Sequence, residues 1–211
     1  MKKRFLTYQI LCSSFCVILI LSNIFSAKMV DLPWLSLSIP AGLIIYPLSF
    51  LLSDLVTEIY GPRRAKLMVY IAFGMSLLSF ILIYIALLLP TADAQQQSAF
   101  QAIMGLSSLR IFSSLISYII AQNVDISLYA LLKKKTRFLW LRSNGSTWFS
   151  QLIDTLVIDL IFLYWGLGWS LTQVFPVMAF SYAYKAFFSL LLTPLFCFSA
   201  SWFKRKKAPA F

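Results

Sequence analysis

The chain has 211 residues, of which 60% are hydrophobic and 12% are charged. A water-soluble domain carries about 25% charged residues, so this composition excludes a soluble globular protein and predicts a membrane protein. The sequence contains no histidine, which excludes histidine-based catalytic triads and histidine zinc sites. Because Cys12, Cys16 and Cys197 follow no metal-ligand spacing, we interpret them as reduced structural thiols and expect no cofactor.

Six apolar stretches are each long enough to cross a bilayer as a helix, which takes about 20 residues. Gly61-Pro62 ends the second stretch, and Asn144-Gly145 predicts a turn before the fifth, where Ser146-Thr147 suits a helix N-cap. The predicted helices are Phe5–Ala27, Leu35–Tyr60, Leu67–Leu89, Leu106–Leu132, Thr147–Leu167 and Val174–Phe203. We therefore predict an all-α integral membrane protein with a single six-helix transmembrane domain over residues 1–211.

The basic residues lie at one end of the predicted helices, with Lys28, Arg110 and Lys185 as exceptions. Cytoplasmic loops of membrane proteins are enriched in Lys and Arg, so the N and C termini are both predicted to be cytoplasmic in an inner membrane. This placement explains the net charge of +11 without a nucleic-acid partner. The basic clusters are Lys2-Lys3-Arg4; Arg63, Arg64 and Lys66; Lys133-Lys134-Lys135, Arg137 and Arg142; and Lys204–Lys207. The first stretch is expected to be a retained helix, because it continues without a clear small-residue cleavage site.

Ionisable residues inside the predicted helices are the main functional signal. Each would cost about 3 kcal/mol if it faced lipid, so these side chains must face one another or a wet cavity. Asp54 and Glu58 lie one helical turn apart, whereas Asp154 and Asp159 are expected to point in different directions. The full set is Asp54, Glu58, Arg110, Asp125, Asp154, Asp159 and Lys185.

Two interpretations of this set remain open. The first is that Arg110 or Lys185 forms structural ion pairs with nearby carboxylates, and that Arg63 and Arg64 neutralise Glu58 and its neighbour. The second is a wet, acidic cavity that holds a ligand. Because the acids outnumber the two bases within the helices, we favour the cavity.

Several short motifs, in order along the chain, resemble those of the queuosine-precursor transporters, formerly named vitamin uptake transporters. Ser22-Asn23 stands at the end of the first helix, and residues 53–61, with the sequence SDLVTEIYG, form the end of the second. The other matches are Arg110 followed by Ala121-Gln122 and Asp125, Ser146-Thr147, Gln151 with Asp154-Thr155, and Tyr182 with Lys185. Together these motifs cover nearly the whole chain.

This resemblance implies a bundle similar to the substrate-binding subunits of energy-coupling-factor transporters, and the import of a 7-deazaguanine for salvage into tRNA. The cargo would be 7-cyano-7-deazaguanine, its aminomethyl form or queuine. Such a base presents adjacent N–H donors that one carboxylate, Asp154 or Asp125, accepts as a pair, and a flat face that stacks on tyrosine rings. The candidate substrate-binding residues are Asp154, Asp125, Gln122, Gln151, Asn23, Asp54, Arg110, Lys185, Tyr118 and Tyr182, with Glu58 and Asp159 as further members.

Three functional interpretations follow. The favoured one is a carrier, alone or as a homodimer, driven by the cargo's gradient, by protons or by trapping of the base in tRNA. The second is a binding subunit of an ATP-driven importer; its ATPase would be another polypeptide, because the chain contains no Walker motif. The third is an intramembrane enzyme, which is disfavoured because no Cys–His pair or HExxH motif is present. We expect no enzymatic activity, and expect the bilayer and a nucleobase-like molecule as partners.

Overall fold

A computed structural model describes residues 2–26, 28–32, 37–104, 108–166 and 168–205. The elements are α1 (Lys2–Phe25), β1 (Met29–Leu32), β2 (Leu37–Pro40), α2 (Gly42–Ile45), α3 (Pro47–Tyr60), α4 (Pro62–Leu88), α5 (Ala94–Met104), α6 (Ser108–Lys135), α7 (Leu139–Asp159), a π-helical segment (Leu160–Gly166) and α8 (Leu171–Arg205). Among the described residues, six helical stretches are long and apolar enough to cross a membrane, which confirms the predicted number of spans. They are Phe5–Phe25, Gly42–Tyr60, Pro62–Leu88, Ser113–Lys135, Leu139–Gly166 and Leu171–Phe203.

Helix α3 lies at the centre of the bundle, where it packs against α1, α4, α6 and α8. Pro47 suits its first turn, because the first N–H groups of a helix have no partner within the helix. Gly61 ends the helix with φ +88°, a conformation that glycine adopts without steric cost. All side chains from Ser53 to Ile59 are buried, so α3 carries Asp54 and Glu58 into the interior of the bundle.

The apolar core joins the first four spans. Phe15 and Leu19 of α1 pack with Val56 of α3, Met68 of α4 and Tyr118 of α6. Many large apolar side chains elsewhere on α4 and α8 are exposed, as expected for surfaces that face lipid tails. Of the helix pairs that the structure describes, α6 and α7 share the most extensive interface. This pair forms one side of the site described below.

Helix α8, the longest described helix, contains Pro176 and Pro194 in its interior. Proline has no N–H group, so each removes one backbone hydrogen bond of the helix. Membrane helices tolerate this loss because neighbouring helices and small local adjustments satisfy the freed carbonyl groups. The helix therefore has two weakened points along its length.

The predicted second helix, Leu35–Tyr60, is wrong at its start. Residues 37–40 pair with residues 29–32 in an antiparallel hairpin, with Val30 opposite Ile39, and helix resumes only at Gly42. The Ser22 hydroxyl donates to the Gly42 carbonyl oxygen at 2.8 Å, and a Cβ atom on Gly42 would overlap the Ser22 carbonyl oxygen. The glycine thus permits contact between the backbones of α1 and α2. Leu35 itself lies outside the described residues.

The turn predicted at Asn144-Gly145 and the cap predicted at Ser146-Thr147 are also wrong, because these residues lie inside α7, which begins at Leu139. The Asn144 amide donates to Thr193 Oγ1 at 2.8 Å and accepts from Ser189 Oγ at 3.0 Å. These contacts with α8 satisfy a side chain that would otherwise favour a turn. A continuous helix also satisfies backbone groups that have no water to bind inside a membrane.

Other helix borders differ by a few residues. Helix α4 begins at Pro62 and not at Leu67, and α8 begins at Leu171 and not at Val174. The sequence did not predict α5, where Asp93 Oδ1 accepts from the Gln95 N–H at 2.8 Å and so caps the helix start. The predicted borders at Ala27, Leu106 and Leu167 lie outside the described residues.

Candidate functional site

A cavity of about 360 Å³ lies between α1, α2, α6, α7 and α8, towards the end of the bundle where α1 ends and α8 begins. Small-molecule sites occupy about 300–1,000 Å³ and combine apolar walls with a few polar groups. The cavity follows this pattern. Its apolar wall includes Leu19, Leu43, Leu115, Ile158, Phe162 and Val177, and its ionisable or amide side chains are Asn23, Tyr46, Tyr118, Asp154, Asp159 and Lys185.

Asp154 is the centre of the polar wall. Lys185 Nζ donates to Asp154 Oδ2 at 2.8 Å, and both residues are at least 95% buried. Asp154 Oδ1 accepts hydrogen bonds from the Tyr46 hydroxyl at 3.1 Å and the Ser117 hydroxyl at 2.6 Å. Both carboxylate oxygens are therefore occupied, which is the condition under which a buried ion pair is stable.

Lys185 has further contacts and one donor to spare. Its ammonium group donates to Thr155 Oγ1 at 3.1 Å and lies 5.5 Å from the centre of the Tyr46 ring, where a cation–π attraction adds to the ion pair. An ammonium has three N–H donors. The described residues occupy two of them, so one donor of Lys185, beside the cavity, has no partner among the described residues.

Aromatic rings form much of the remaining wall. Tyr118, Phe162 and Trp169 line the cavity together with Tyr46. The Tyr118 hydroxyl is buried and makes no hydrogen bond to any described residue. Rings of this kind offer flat surfaces against which a planar ligand can stack.

Asp159, one of the further candidate residues, also lines the cavity. On α7 and the segment after it, Asp154, Ile158 and Phe162 form one row of side chains along the helix. Asp159 and Leu163 belong to the adjacent row, and the cavity is broad enough to meet both. Two acidic side chains therefore face the same space.

Four other predicted site residues, Asp54, Gln122, Asp125 and Gln151, lie deeper in the bundle and do not line the cavity. All four are at most 1% exposed. The side-chain amides of Gln122 and Gln151 make no hydrogen bond to any described residue. Tyr182 is half-buried and does not line the cavity either. The predicted contact of Arg110 lies outside the described side chains.

Asp54 and Asp125 form a second polar cluster, in which hydroxyl groups are the donors. Ser53 and Ser150 donate to the two oxygens of Asp125, at 3.3 Å and 3.1 Å, and the Ser143 hydroxyl donates to Asp54 Oδ2. The two carboxyl groups are direct neighbours in this cluster. No Lys or Arg side chain among those described forms an ion pair with either acid.

Glu58 belongs to a third cluster, at the end of the bundle that carries the basic residues. Arg142 Nη1 lies 3.1 Å from Glu58 Oε2, Lys133 Nζ lies 3.1 Å from the same oxygen, and the Tyr129 hydroxyl donates to it at 3.0 Å. The open interpretation that Arg63 and Arg64 neutralise Glu58 is therefore not needed to balance its charge. The partners come from α6 and α7 because these helices pack beside α3, whereas the Arg64 guanidinium lies 5.8 Å from the centre of the Tyr8 ring.

Sequence reasoning missed two members of the site, Tyr46 and Ser117, as hydrogen-bond donors to Asp154. Ser117 lies on the same face of its helix as Asp125, which could have indicated its inward orientation. Tyr46 directly precedes Pro47 in an apolar stretch. A tyrosine hydroxyl within a membrane span needs a polar partner, and this requirement could have indicated that Tyr46 faces the polar interior.

The six spans and the cavity with an ion pair in its wall define a multi-pass membrane protein with a candidate small-molecule site. The chain belongs to the family described as "Putative vitamin uptake transporter", whose model matches residues 40–199. This match confirms the resemblance seen in the sequence motifs.

One curated relative, "Probable queuosine precursor transporter" from Bacillus subtilis (strain 168), is 31% identical over 144 residues. The match covers 66% of this chain and 62% of the relative. No solved structure matches the chain.

Proposed function

We propose that this protein imports a 7-deazaguanine precursor of queuosine: 7-cyano-7-deazaguanine, its aminomethyl form or queuine. Family membership supports transport, and the name of the Bacillus subtilis relative supports a queuosine precursor as cargo. The observation that carries the proposal is the cavity within the membrane-spanning bundle, with the Lys185–Asp154 ion pair in its wall. That cavity offers charged, amide and aromatic groups together, as recognition of a polar planar base requires.

We propose that the protein lies in the inner membrane with both termini in the cytoplasm. Lys133–Lys135 and Arg142 lie at the end of the bundle opposite the cavity, and positive residues favour the cytoplasmic side. The cavity then lies towards the outer face. The structure would therefore correspond to a state that receives cargo from outside.

Recognition of the base would centre on the ion pair. The spare N–H of Lys185 can donate to the carbonyl oxygen of the base, while Asp154 accepts from its ring N–H and amine once Tyr46 or Ser117 gives up its contact. A carboxylate accepts such paired donors well because both bonds are charge-assisted. The base would stack on the ring of Tyr118 or Phe162.

Asp159 gives the proposed site a preference among the three bases. The aminomethyl form and queuine carry a positive charge, whereas the cyano form is neutral. Asp159 is a second carboxyl group in the cavity wall, and it follows Asp154 by five residues in the sequence. It can attract the cationic substituent while Asp154 holds the ring, so we expect the cationic bases to bind more tightly.

The test is restoration of queuosine in tRNA. In a host that lacks both precursor synthesis and its own importer, expression of this chain should restore tRNA queuosine at low external base. The matched control is the Trp165→Ala variant, because Trp165 is 83% exposed and does not line the cavity.

Two outcomes would change the proposal. We propose that the fold is similar to that of the substrate-binding subunits of energy-coupling-factor importers. If restoration requires a co-expressed ATPase pair, the chain is itself such a subunit. If the purified protein binds none of the three bases and the host gains no queuosine, the assigned cargo is wrong.

A further inference from the structure

The Asp54–Asp125 pair is unusual among the carboxyl clusters of the bundle. Glu58 is neutralised by Arg142 and Lys133, and Asp154 is neutralised by Lys185. The pair itself receives only hydroxyl donors from the described residues, on α3 and α7. Two adjacent carboxyl groups in a medium of low dielectric repel each other strongly when both are ionised, so the pair has a strong affinity for one positive charge.

Unused hydrogen-bonding groups lie beside the pair. Asp54 Oδ1 and Thr147 Oγ1 are buried without a hydrogen-bond partner among the described residues. Both residues line a small cavity of about 10 Å³, which Ser143 also borders. A space of about 10–15 Å³ is enough for one water molecule when several polar groups surround it. Asp125 does not line this space, so the room and the unused oxygen ligands for a cation lie on the Asp54 side of the pair.

Polar side chains lie between this pair and the large cavity along α6 and α7. Helices α6 and α7 run antiparallel, joined by the Ser117–Asp154 contact at the cavity and by the Ser150–Asp125 contact deeper in the bundle. Gln122 and Gln151 lie between these two contacts in the sequence of each helix, and both amides are fully buried without a partner among the described residues. Buried amides without partners are costly unless water or an ion reaches them. Their position indicates a path from the cavity to the acid pair.

We propose that Asp54 and Asp125 together bind one monovalent cation, a proton or Na⁺, whose inward gradient drives accumulation of the cargo. This inference rests on the proposed function, because it names the energy source of the same carrier. One positive charge enters from the cavity side past Gln122 and Gln151 and binds the pair. It leaves towards the cytoplasm when the cargo is released, and no covalent bond changes. Tyr129 and Glu58 lie on the cytoplasmic side of the pair, and Lys185 lies on the cavity side.

The experiment uses the full-length protein in liposomes with labelled 7-cyano-7-deazaguanine. Uptake is measured with no gradient, with a one-unit inward pH gradient, and with a tenfold inward Na⁺ gradient. Either gradient permits about tenfold accumulation per cation. We expect accumulation with one of the two, which identifies the cation. In the Asp54→Asn and Asp125→Asn variants, the ratio of cargo inside to cargo outside should fall to about one. Their rate of counterflow exchange, measured on the same liposomes, serves as the reference.

Normalising accumulation to counterflow exchange separates coupling from folding and from cargo binding. Asp93→Asn is the matched control, because Asp93 is exposed and an asparagine can still cap α5. Accumulation without any dependence on the two gradients, or gradient-driven accumulation that persists in both variants, would overturn the proposal. Loss of accumulation and exchange together in well-folded variants would also overturn it, since the pair would then act on cargo.

The cation site can also be tested without cargo, which separates its failure from failure of the proposed function. Binding of a cation to the folded state raises the melting temperature. Wild-type protein in detergent should therefore melt at higher temperature when Na⁺ is added or when the pH is lowered. The Asp54→Asn and Asp125→Asn variants should lose most of this shift. An equal shift in melting temperature in wild type and both variants would show that the cation does not bind to this pair, whatever the cargo is.

Discussion

Two carboxylates in this bundle have nearly the same partners but different surroundings. Glu58, at the basic end, and Asp154, at the cavity, are each buried, each paired with a basic side chain, and each bonded to a tyrosine hydroxyl, at 3.0 Å from Tyr129 and 3.1 Å from Tyr46. Glu58 is enclosed by side chains, whereas Asp154 borders a cavity of about 360 Å³. The chemistry of an ion pair does not by itself indicate function; the space beside it does.

The largest effect should come from breaking the enclosed pair. Glu58→Gln leaves Arg142 buried without its counter-charge, and loss of one partner of a buried ion pair costs about 3–5 kcal/mol of folding stability. Lys133 is 37% exposed, so it can turn towards water, but the Arg142 side chain is 9% exposed and cannot. The melting temperature in detergent measures the loss.

The matched control for this prediction is the double variant Glu58→Gln, Arg142→Gln. It removes both charges together and should recover part of the stability, because no buried charge remains without a partner. If Glu58→Gln melts like the wild type, the network at the basic end is not structural, and the contrast with the cavity disappears.

The second effect concerns the pair at the cavity. Asp154→Asn and Lys185→Gln should each weaken binding of the base about ten- to hundredfold, since a hydrogen bond to a charged group contributes about 1.5–3 kcal/mol. Equilibrium binding and melting temperature must be measured on the same samples, with Asp54→Asn, Asp125→Asn and Arg110→Gln alongside. A lower melting temperature with unchanged affinity would make Asp154 as structural as Glu58. Unchanged affinity in well-folded Asp154→Asn would remove this carboxylate from the site.

The third effect compares two glycines. A Cβ atom on Gly42 would overlap the backbone of α1 at the cavity, whereas one on Gly145 would lie 3.1 Å from the flexible end of Leu132. Gly42→Ala should cost about 1–3 kcal/mol through overpacking and should reduce uptake, because α1 must move at the cavity wall. Gly145→Ala should have a smaller effect on both. Equal uptake by the two variants would show that the α1–α2 contact does not shape the site.

The smallest effect isolates one hydroxyl in each region. Tyr46→Phe keeps the ring but removes the donor to Asp154, and should weaken base binding by about 0.5–1.5 kcal/mol. Tyr129→Phe removes the equivalent donor to Glu58 and should lower stability by a similar amount without changing affinity. If both variants lose affinity equally, the distinction between a structural and a functional carboxylate fails.

The sequence was sufficient to predict the six spans and the burial of their acids, because hydropathy and the cost of charge in lipid act locally along the chain. Prediction from the sequence failed where contacts between distant segments determine the secondary structure. The hairpin at residues 29–40 forms by pairing of two segments, and α7 continues through Asn144 because α8 supplies hydrogen bonds. Neither partner is visible in a local pattern.

Prediction of the site was partial for the same reason. Asn23, Tyr118, Asp154, Asp159 and Lys185 were predicted and line the cavity. Polarity within a span identified Asp154, Asp159 and Lys185 as inward-facing, whereas Asn23 came from the family resemblance and Tyr118 from the expected stacking. Polarity could not distinguish side chains at the cavity from those one or two turns deeper, because depth depends on how the helices stack.

Helix α8 links the two compared regions mechanically. Lys185 lies midway between Pro176 and Pro194, so it belongs to a central helical segment that has a possible bend at each end. The part before Pro176 packs on the π-helical segment through Val174, and the part after Pro194 packs near Glu58 through Phe196. Each end can tilt with its own neighbours while the lysine keeps its carboxylate. A bend at Pro176 or Pro194 would therefore reshape one end of the bundle without breaking the Lys185–Asp154 ion pair between them.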